Sequence, residues 1–392
     1  MDFENIKKLD NQYLMHTYGR YDVALVKGKG ATAYDSDGRE YIDVSSGIGV
    51  NSLGYCDSGW ISAVTDQLNK IQHISNYYYS EPAAVLGKKL CELSGMDKVF
   101  FGNSGAEANE CAIKIARKYS FDKYGGSRNE IITLGNSFHG RTVTTLAATG
   151  QDVFHNYFFP FTEGFKYVPA NDMQALSEAV SDKTCAVMLE CVQGEGGVNI
   201  LSTEYLQGVY KLCAKNDILL IIDEVQTGIG RTGKFFSYMH HGITPDIVTT
   251  AKGLGGGLPI GCCLCSEKTS AVLGASMHGT TFGANPVVCA GANEVLNRIA
   301  NDKFLDGVTK KGDYIAQTCE KIDAVRSVRH LGMMIGVELK KDNAKEVAAK
   351  CVKNGLLIIT AKNLLRMLPP LTITYEEIDK ALDILRKTIT EE

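Results

Sequence analysis

This chain carries no excess of charge of either sign. Its 392 residues hold 41 Lys and Arg against 45 Asp and Glu, a formal net charge of −4. There is therefore no broad basic field to attract nucleic acid. Long hydrophobic runs are missing too: no stretch approaches the ~18 to 20 consecutive apolar residues of a membrane-spanning helix. Met1 to Asp10 holds no apolar core of the kind a secretory signal needs. No internal repeat, low-complexity tract or long linker is present. Cysteine is plentiful at 12 residues, but zinc-ligand spacing is not: Cys262, Cys263 and Cys265 cluster without a second ligand pair. With Cys91, Cys111, Cys185, Cys191, Cys213 and Cys289 they lie in apolar segments, as free buried thiols do. A reduced, cytoplasmic setting without a bound metal is expected.

What remains is an ordinary globular composition, 44% hydrophobic and 22% charged. The middle of the chain alternates short apolar runs with helix-like stretches. Lys98–Phe101, Glu130–Leu134, Ala186–Leu189, Ile218–Ile222 and Asp246–Thr250 read as buried strands, and Ala106–Tyr119 and Thr203–Lys215 as helices. That pattern predicts an α/β fold with a mostly parallel sheet covered by helices. Near the start, Val23–Val26, Ala31–Tyr34 and Glu40–Val44 are punctuated by Gly28, Gly30 and Gly38 and predict an antiparallel meander. After Pro286 a long helical stretch leads to strand candidates at Val325–Arg329, Gly332–Leu339 and Leu356–Thr360, then an amphipathic helix over Tyr375–Thr388. The expectation is a large central domain over residues 53–290 and a smaller α+β domain built from residues 1–52 and 291–392.

Chemistry concentrates where strands end. Ile218 to Ile222 runs straight into Asp223 and Glu224. In open α/β sheets ligands sit beyond the carboxyl ends of strands, and a carboxylate there needs a cationic partner. A protonated ring nitrogen facing Asp223 would meet that need; a loop or helix cap is the alternative. Asp246 to Gly261 brings Lys252 to the same edge, followed by a glycine cluster that lets backbone pass close to a flat ligand. A lysine in a partly desolvated site can form a Schiff base; a solvated lysine at a turn is the ordinary alternative, and it leaves the glycines unexplained. Phe101 to Glu107 feeds small residues into a helix start, where free amides and the helix dipole suit a phosphate and Ser104 can add a hydroxyl. A plain helix cap by Asn103 or Ser104 fits as well.

Further fragments are weaker singly. In Asn136–Thr142, Phe138 can stack on a planar ring and Arg141 can fork a carboxylate, while His139 reads as packing. Thr280 and Thr281 can bond an anion, and Glu195, on a Gln-Gly-Glu-Gly-Gly turn, has a distant cation in Arg366. Gly228 to Gly233 matches G-x-G-x-x-G after a strand, but two carboxylates intervene and no helix opens, so a dinucleotide site is set aside.

Ile222-Asp-Glu-Val-Gln-Thr-Gly, Thr250-Ala-Lys-Gly-Leu-Gly-Gly-Gly, Asn103-Ser-Gly-Ala-Glu-Ala and Gly279-Thr-Thr-Phe-Gly-Ala-Asn-Pro together resemble the class III, fold-type-I pyridoxal-phosphate aminotransferases, from Thr17-Tyr-Gly-Arg to Arg366. The resemblance implies pyridoxal 5′-phosphate as cofactor, with Lys252 carrying it in Schiff-base linkage and shuttling the proton. It implies that Asp223 keeps the ring nitrogen protonated, Phe138 stacks and Gln226 contacts the 3-oxygen, with Ser104, Gly105, Ala106, Glu224, Val225 and Thr281 completing the cofactor set. Thr281 would come from the neighbouring subunit of a homodimer. Arg141 would take the substrate α-carboxylate with Tyr18 and Thr280 nearby, and Glu195 with Arg366 would form a switch pair. The implied partners are an ω-amino donor, N-acetylornithine before ornithine, succinylornithine or 4-aminobutyrate, and 2-oxoglutarate as acceptor. Leu53-Gly-Tyr-Cys-Asp-Ser replaces a His-x-His-Pro segment of many family members, and Tyr21-Asp22 a proline-containing one, both near the expected substrate entrance.

Overall fold

The computed structural model describes residues 1–390. Strands β1 (Leu25–Lys29), β2 (Thr32–Asp35) and β3 (Glu40–Asp43) form the antiparallel meander expected from the glycine-punctuated start. The central strands follow: β4 (Lys98–Gly102), β5 (Glu130–Leu134), β6 (Phe165–Val168) and β7 (Thr184–Leu189). A two-residue ribbon, β8 (Val192–Gln193) with β9 (Asn199–Ile200), interrupts the series before β10 (Leu219–Asp223), β11 (Ile247–Thr250) and β12 (Gly261–Cys265). The seven central strands lie in the order β4-β12-β11-β10-β7-β5-β6. All run parallel except β12, which is antiparallel to both its neighbours.

Strand β10 shows why these residues form the sheet. Leu219 to Ile222 are each no more than 1% exposed, because helices cover both faces. Burying side chains of this size is worth roughly 1.5–3 kcal/mol each. The helices Gly105–Tyr124 and Thr203–Asn216 start at Ser104 and Ser202, whose hydroxyls accept the amides of Glu107 and Tyr205.

The C-terminal region adds β13 (Val325–Leu331), β14 (Met334–Leu339), β15 (Leu356–Leu357), β16 (Ile359–Ala361) and β17 (Leu364–Met367). One sheet orders as β13-β14-β17-β16, whereas β15 pairs parallel with β3 and completes the N-terminal sheet. Chain start and chain end are thereby stitched together. The long stretch after Pro286 is two helices, Pro286–Ile299 and Asp302–Cys319, divided where Asn301 caps the second. The twelve cysteines are all free thiols. Among the described residues no helix is long and apolar enough to cross a membrane.

Candidate active site

The loops that leave β4, β5, β7, β10 and β11 open at one edge of the sheet and line one cavity of about 440 Å³, a volume suited to a small molecule. Asp223, the last residue of β10, is 2% exposed. The Val225 amide donates to its Oδ1 at 3.0 Å, the Asn109 side-chain amide donates to Oδ2 at 2.8 Å, and His139 Nδ1 lies 2.8 Å from the same oxygen. The orientation of Asn109 is set by the Thr249 hydroxyl, which donates to its carbonyl at 2.6 Å. A buried carboxylate ringed by donors in this way is held at one angle.

Lys252 follows β11 after Ala251 and enters the same cavity. Burial lowers its pKa from the ordinary lysine value, and the nearby Glu195 charge opposes that shift. Its ammonium makes no hydrogen bond or ion pair among the described residues. Its backbone φ is +41°, a left-handed conformation that costs a side-chain-bearing residue strain and clusters at functional sites.

At a third corner, the helix Gly105–Tyr124 points its first turn into the cavity. The amides of Gly105 and Ala106 fall in the turn that has no intrahelical acceptors. Gly105 has no space for a side chain, since a Cβ there would come within 2.7 Å of Val225. Phe138 and Arg141 come from the loop after β5. Glu195 reaches in from the β8–β9 turn, and Arg366 Nη1 donates to it at 2.7 Å. Gln226 bridges the two, accepting from Arg366 at 3.1 Å and donating to Glu195 at 3.3 Å. Burial pushes the Glu195 pKa up, but the Arg366 charge and hydrogen bond outweigh it, and the net shift is downward.

Several expected residues stand elsewhere. Glu224 does not face the cavity: it is fully buried on the opposite side of the strand end, accepting from Thr227, Ser237 and the Tyr238 amide. Successive residues leaving a strand point to opposite faces, so Asp223 and Glu224 cannot share one site. Tyr18 also lies outside, 75% exposed, with only Arg20 over its ring. Its segment has no strand or helix to hold it against the cavity. Ser104 lines the cavity, but its hydroxyl caps its own helix through Glu107. Thr280 and Thr281 line a separate cavity with Asn76 and Lys114, and Thr280 connects to the first through a 3.1 Å bond from Asn103.

Sequence reasoning passed over three residues. His139 was read as packing, yet it is a partner of Asp223. Asn109 lies mid-helix, where nothing in the sequence marks it. Glu190 follows β7 as Asp223 ends β10, so the argument that picked Asp223 could have found it. It lines the cavity and accepts the amides of Phe138 at 3.0 Å and Gly194 at 3.3 Å. Burial raises its pKa, opposed by His139.

The residues present fit pyridoxal phosphate: an unpaired buried amine, an acid at another wall, an aromatic ring beside them, and a glycine-lined helix start for a phosphate. Comparison with known proteins agrees. Residues 13–389 match the class-III aminotransferase family. Curated relatives include the acetylornithine aminotransferase of Haemophilus ducreyi, 52% identical with all of both chains covered. That of Methanocaldococcus jannaschii is 46% identical, covering 100% of this chain and 99% of the relative. Among solved structures, the Toxoplasma gondii ornithine aminotransferase matches with a TM-score of 0.95 at 32% identity, over 100% of this chain and 96% of that one. The Elizabethkingia anophelis acetylornithine aminotransferase matches at 0.89 and 31%, with both chains fully covered. The chain belongs to the class-III aminotransferases. It is a pyridoxal-phosphate-dependent enzyme whose substrates are small amino and keto acids.

Proposed function

We propose that this enzyme moves the ω-amino group of N-acetylornithine to 2-oxoglutarate, giving N-acetylglutamate 5-semialdehyde and glutamate, a step of arginine biosynthesis. The observation that carries the reading is one cavity lined by Lys252, Asp223, Arg141 and an Arg366-paired Glu195, in a chain 52% identical to an acetylornithine aminotransferase over its full length.

Pyridoxal phosphate, when bound, supplies an electron sink for the carbon that gives up a proton. Lys252 would hold the cofactor and, with its amine free, would move that proton through its Nζ; its lowered pKa favours the neutral amine this requires. Asp223, fixed by Asn109 and His139, would hold a proton on the ring nitrogen. Phe138 and Val225 would hold the ring between them and Gln226 would supply a polar contact at its edge. The first-turn amides at Gly105 and Ala106 hold the phosphate. Arg141 takes the carboxylate remote from the reacting carbon, which is the α-carboxylate of the donor and the distal carboxylate of 2-oxoglutarate. Glu195 neutralises Arg366 while the ω-amino donor is bound and swings away for 2-oxoglutarate, whose α-carboxylate, beside the reacting carbon, then meets Arg366.

The working unit is a cytoplasmic homodimer. Its support is a surface carrying Tyr77, Tyr78 and Tyr79, exposed by 95%, 73% and 106%, next to the cavity of Thr280 and Thr281. In this arrangement Thr281 completes the phosphate site of the second copy.

A second reading, ornithine as donor, is favoured by the 0.95 TM-score to an ornithine aminotransferase. Steady-state kinetics with each donor and 2-oxoglutarate separates the two. The expected result is a higher kcat/KM for N-acetylornithine. Turnover of ornithine with N-acetylornithine inert would overturn the proposal.

A further inference from the structure

Arg141 stands at the cavity with an exposed side chain, and its guanidinium makes no hydrogen bond or ion pair among the described residues. Its contacts are aromatic. The Cζ atom lies 4.1 Å from the ring centroid of Phe154 and 5.4 Å from that of Phe138, both inside the ~6 Å reach of a cation–π contact. Phe154 ends the short helical turn Asp152–Phe154 and is half-buried. Its ring meets Phe138 edge-on, with centroids 5.8 Å apart and planes at 81°. The turn is tied to the loop that bears Phe138 and Arg141. Gln151 donates to the Ser137 carbonyl at 3.0 Å, and the Phe154 amide donates to the Gln151 carbonyl at 3.0 Å. His155 Nε2 lies 2.7 Å from the Thr149 carbonyl just upstream.

An arginine side chain loses much rotamer freedom when it grips a carboxylate. A fork already stacked on a fixed ring loses less on binding. We infer that Phe154 is a positioning residue for substrate: its ring face holds the Arg141 guanidinium at the cavity mouth, ready for the carboxylate that each substrate carries remote from its reacting carbon. This rests on the assignment of Arg141 to that carboxylate. Because donor and acceptor both carry such a remote carboxylate, the effect extends to both half-reactions, unlike an effect of Glu195 or Arg366.

Two variants of the holoenzyme test it. Phe154→Leu keeps apolar bulk without a π face, and Phe154→Trp keeps the face. Phe154→Leu is expected to raise KM for both N-acetylornithine and 2-oxoglutarate about fivefold, with kcat within about twofold of wild type. Phe154→Trp is expected to restore both KM values. In an Arg141→Ala background, Phe154→Leu should add nothing further. Wild-type KM values in Phe154→Leu, alongside raised values in Arg141→Ala, would overturn the inference and leave the Arg141 assignment standing. So would a Trp variant as impaired as the Leu variant. A Leu effect that persists without Arg141 would move the role of Phe154 to Phe138 and the cofactor. Unchanged KM values in Arg141→Ala would remove the carboxylate assignment itself.

Discussion

Arg231 and Arg366 are each 2% exposed, but they are buried among different acceptors. Arg231 sits in the Gly228–Gly233 loop and donates to the carbonyls of Met333 at 3.1 Å and Pro369 at 2.6 Å. Its Nη2 has no partner, and burial alone pushes its pKa down to about 9. Arg366 faces the Glu195 carboxylate and the Gln226 side chain. Backbone carbonyls cannot leave, so Arg231 rivets the loop after β10 to the C-terminal region. A carboxylate on a glycine-rich turn can leave, so Arg366 can exchange one anion for another. Burial of a cation therefore does not mark a site; a movable acidic partner does.

The largest expected effect lies with a third basic side chain, Lys252, which has neither kind of partner. Lys252→Ala should cut turnover about 10⁴-fold while leaving the melting temperature near that of wild type; steady-state rates and a thermal scan check both halves. Next, Arg366→Met should raise KM for 2-oxoglutarate by an amount equivalent to about 2–5 kcal/mol and leave the donor KM unchanged. Equal losses for both substrates would erase the distinction between the two arginines. Arg231→Met should do the converse: two carbonyls lose their donor, at about 2–3 kcal/mol of stability in a denaturant titration, with both KM values unaltered. The smallest effect is in pH dependence. The folded pKa of Glu195 lies below the ordinary 4.5. Its contribution to stability is thus complete above that value and lost as pH falls through the lower, folded one. Glu195→Gln should flatten the stability curve below about pH 4.5, and an unchanged acid limb would mean that Glu195 is not paired in solution.

How much of this was legible beforehand depended on where each signal lies along the chain. Strands β5 and β10 and the meander are local patterns of apolar runs and glycines, and they stand where those patterns put them, within three residues. Strand β12 was missed because Gly-Cys-Cys-Leu-Cys is a short apolar run whose period favours neither strand nor helix. The helix Phe3–Tyr13 escaped for the opposite reason, since it buries no residue. Lys252 and Asp223 stood out because each follows a strand and faces glycines or apolar neighbours. The supports of Asp223 did not: Asn109 is 114 residues away in sequence, and only the packing of the helix Gly105–Tyr124 against β10 and β11 brings them together. Phe154 was invisible for the same reason, since its value lies in the ring face it turns to Arg141. Glu224 went wrong through parity, because a motif quoted as a block carries no record of which side each residue faces.

Attachment of the cofactor to Lys252 can be read directly. The purified holoenzyme, reduced with borohydride and digested, should carry the phosphopyridoxyl group on the peptide containing Lys252, and Lys252→Ala should carry none. A label on a different lysine, or no label on wild-type protein with bound cofactor, would contradict the account.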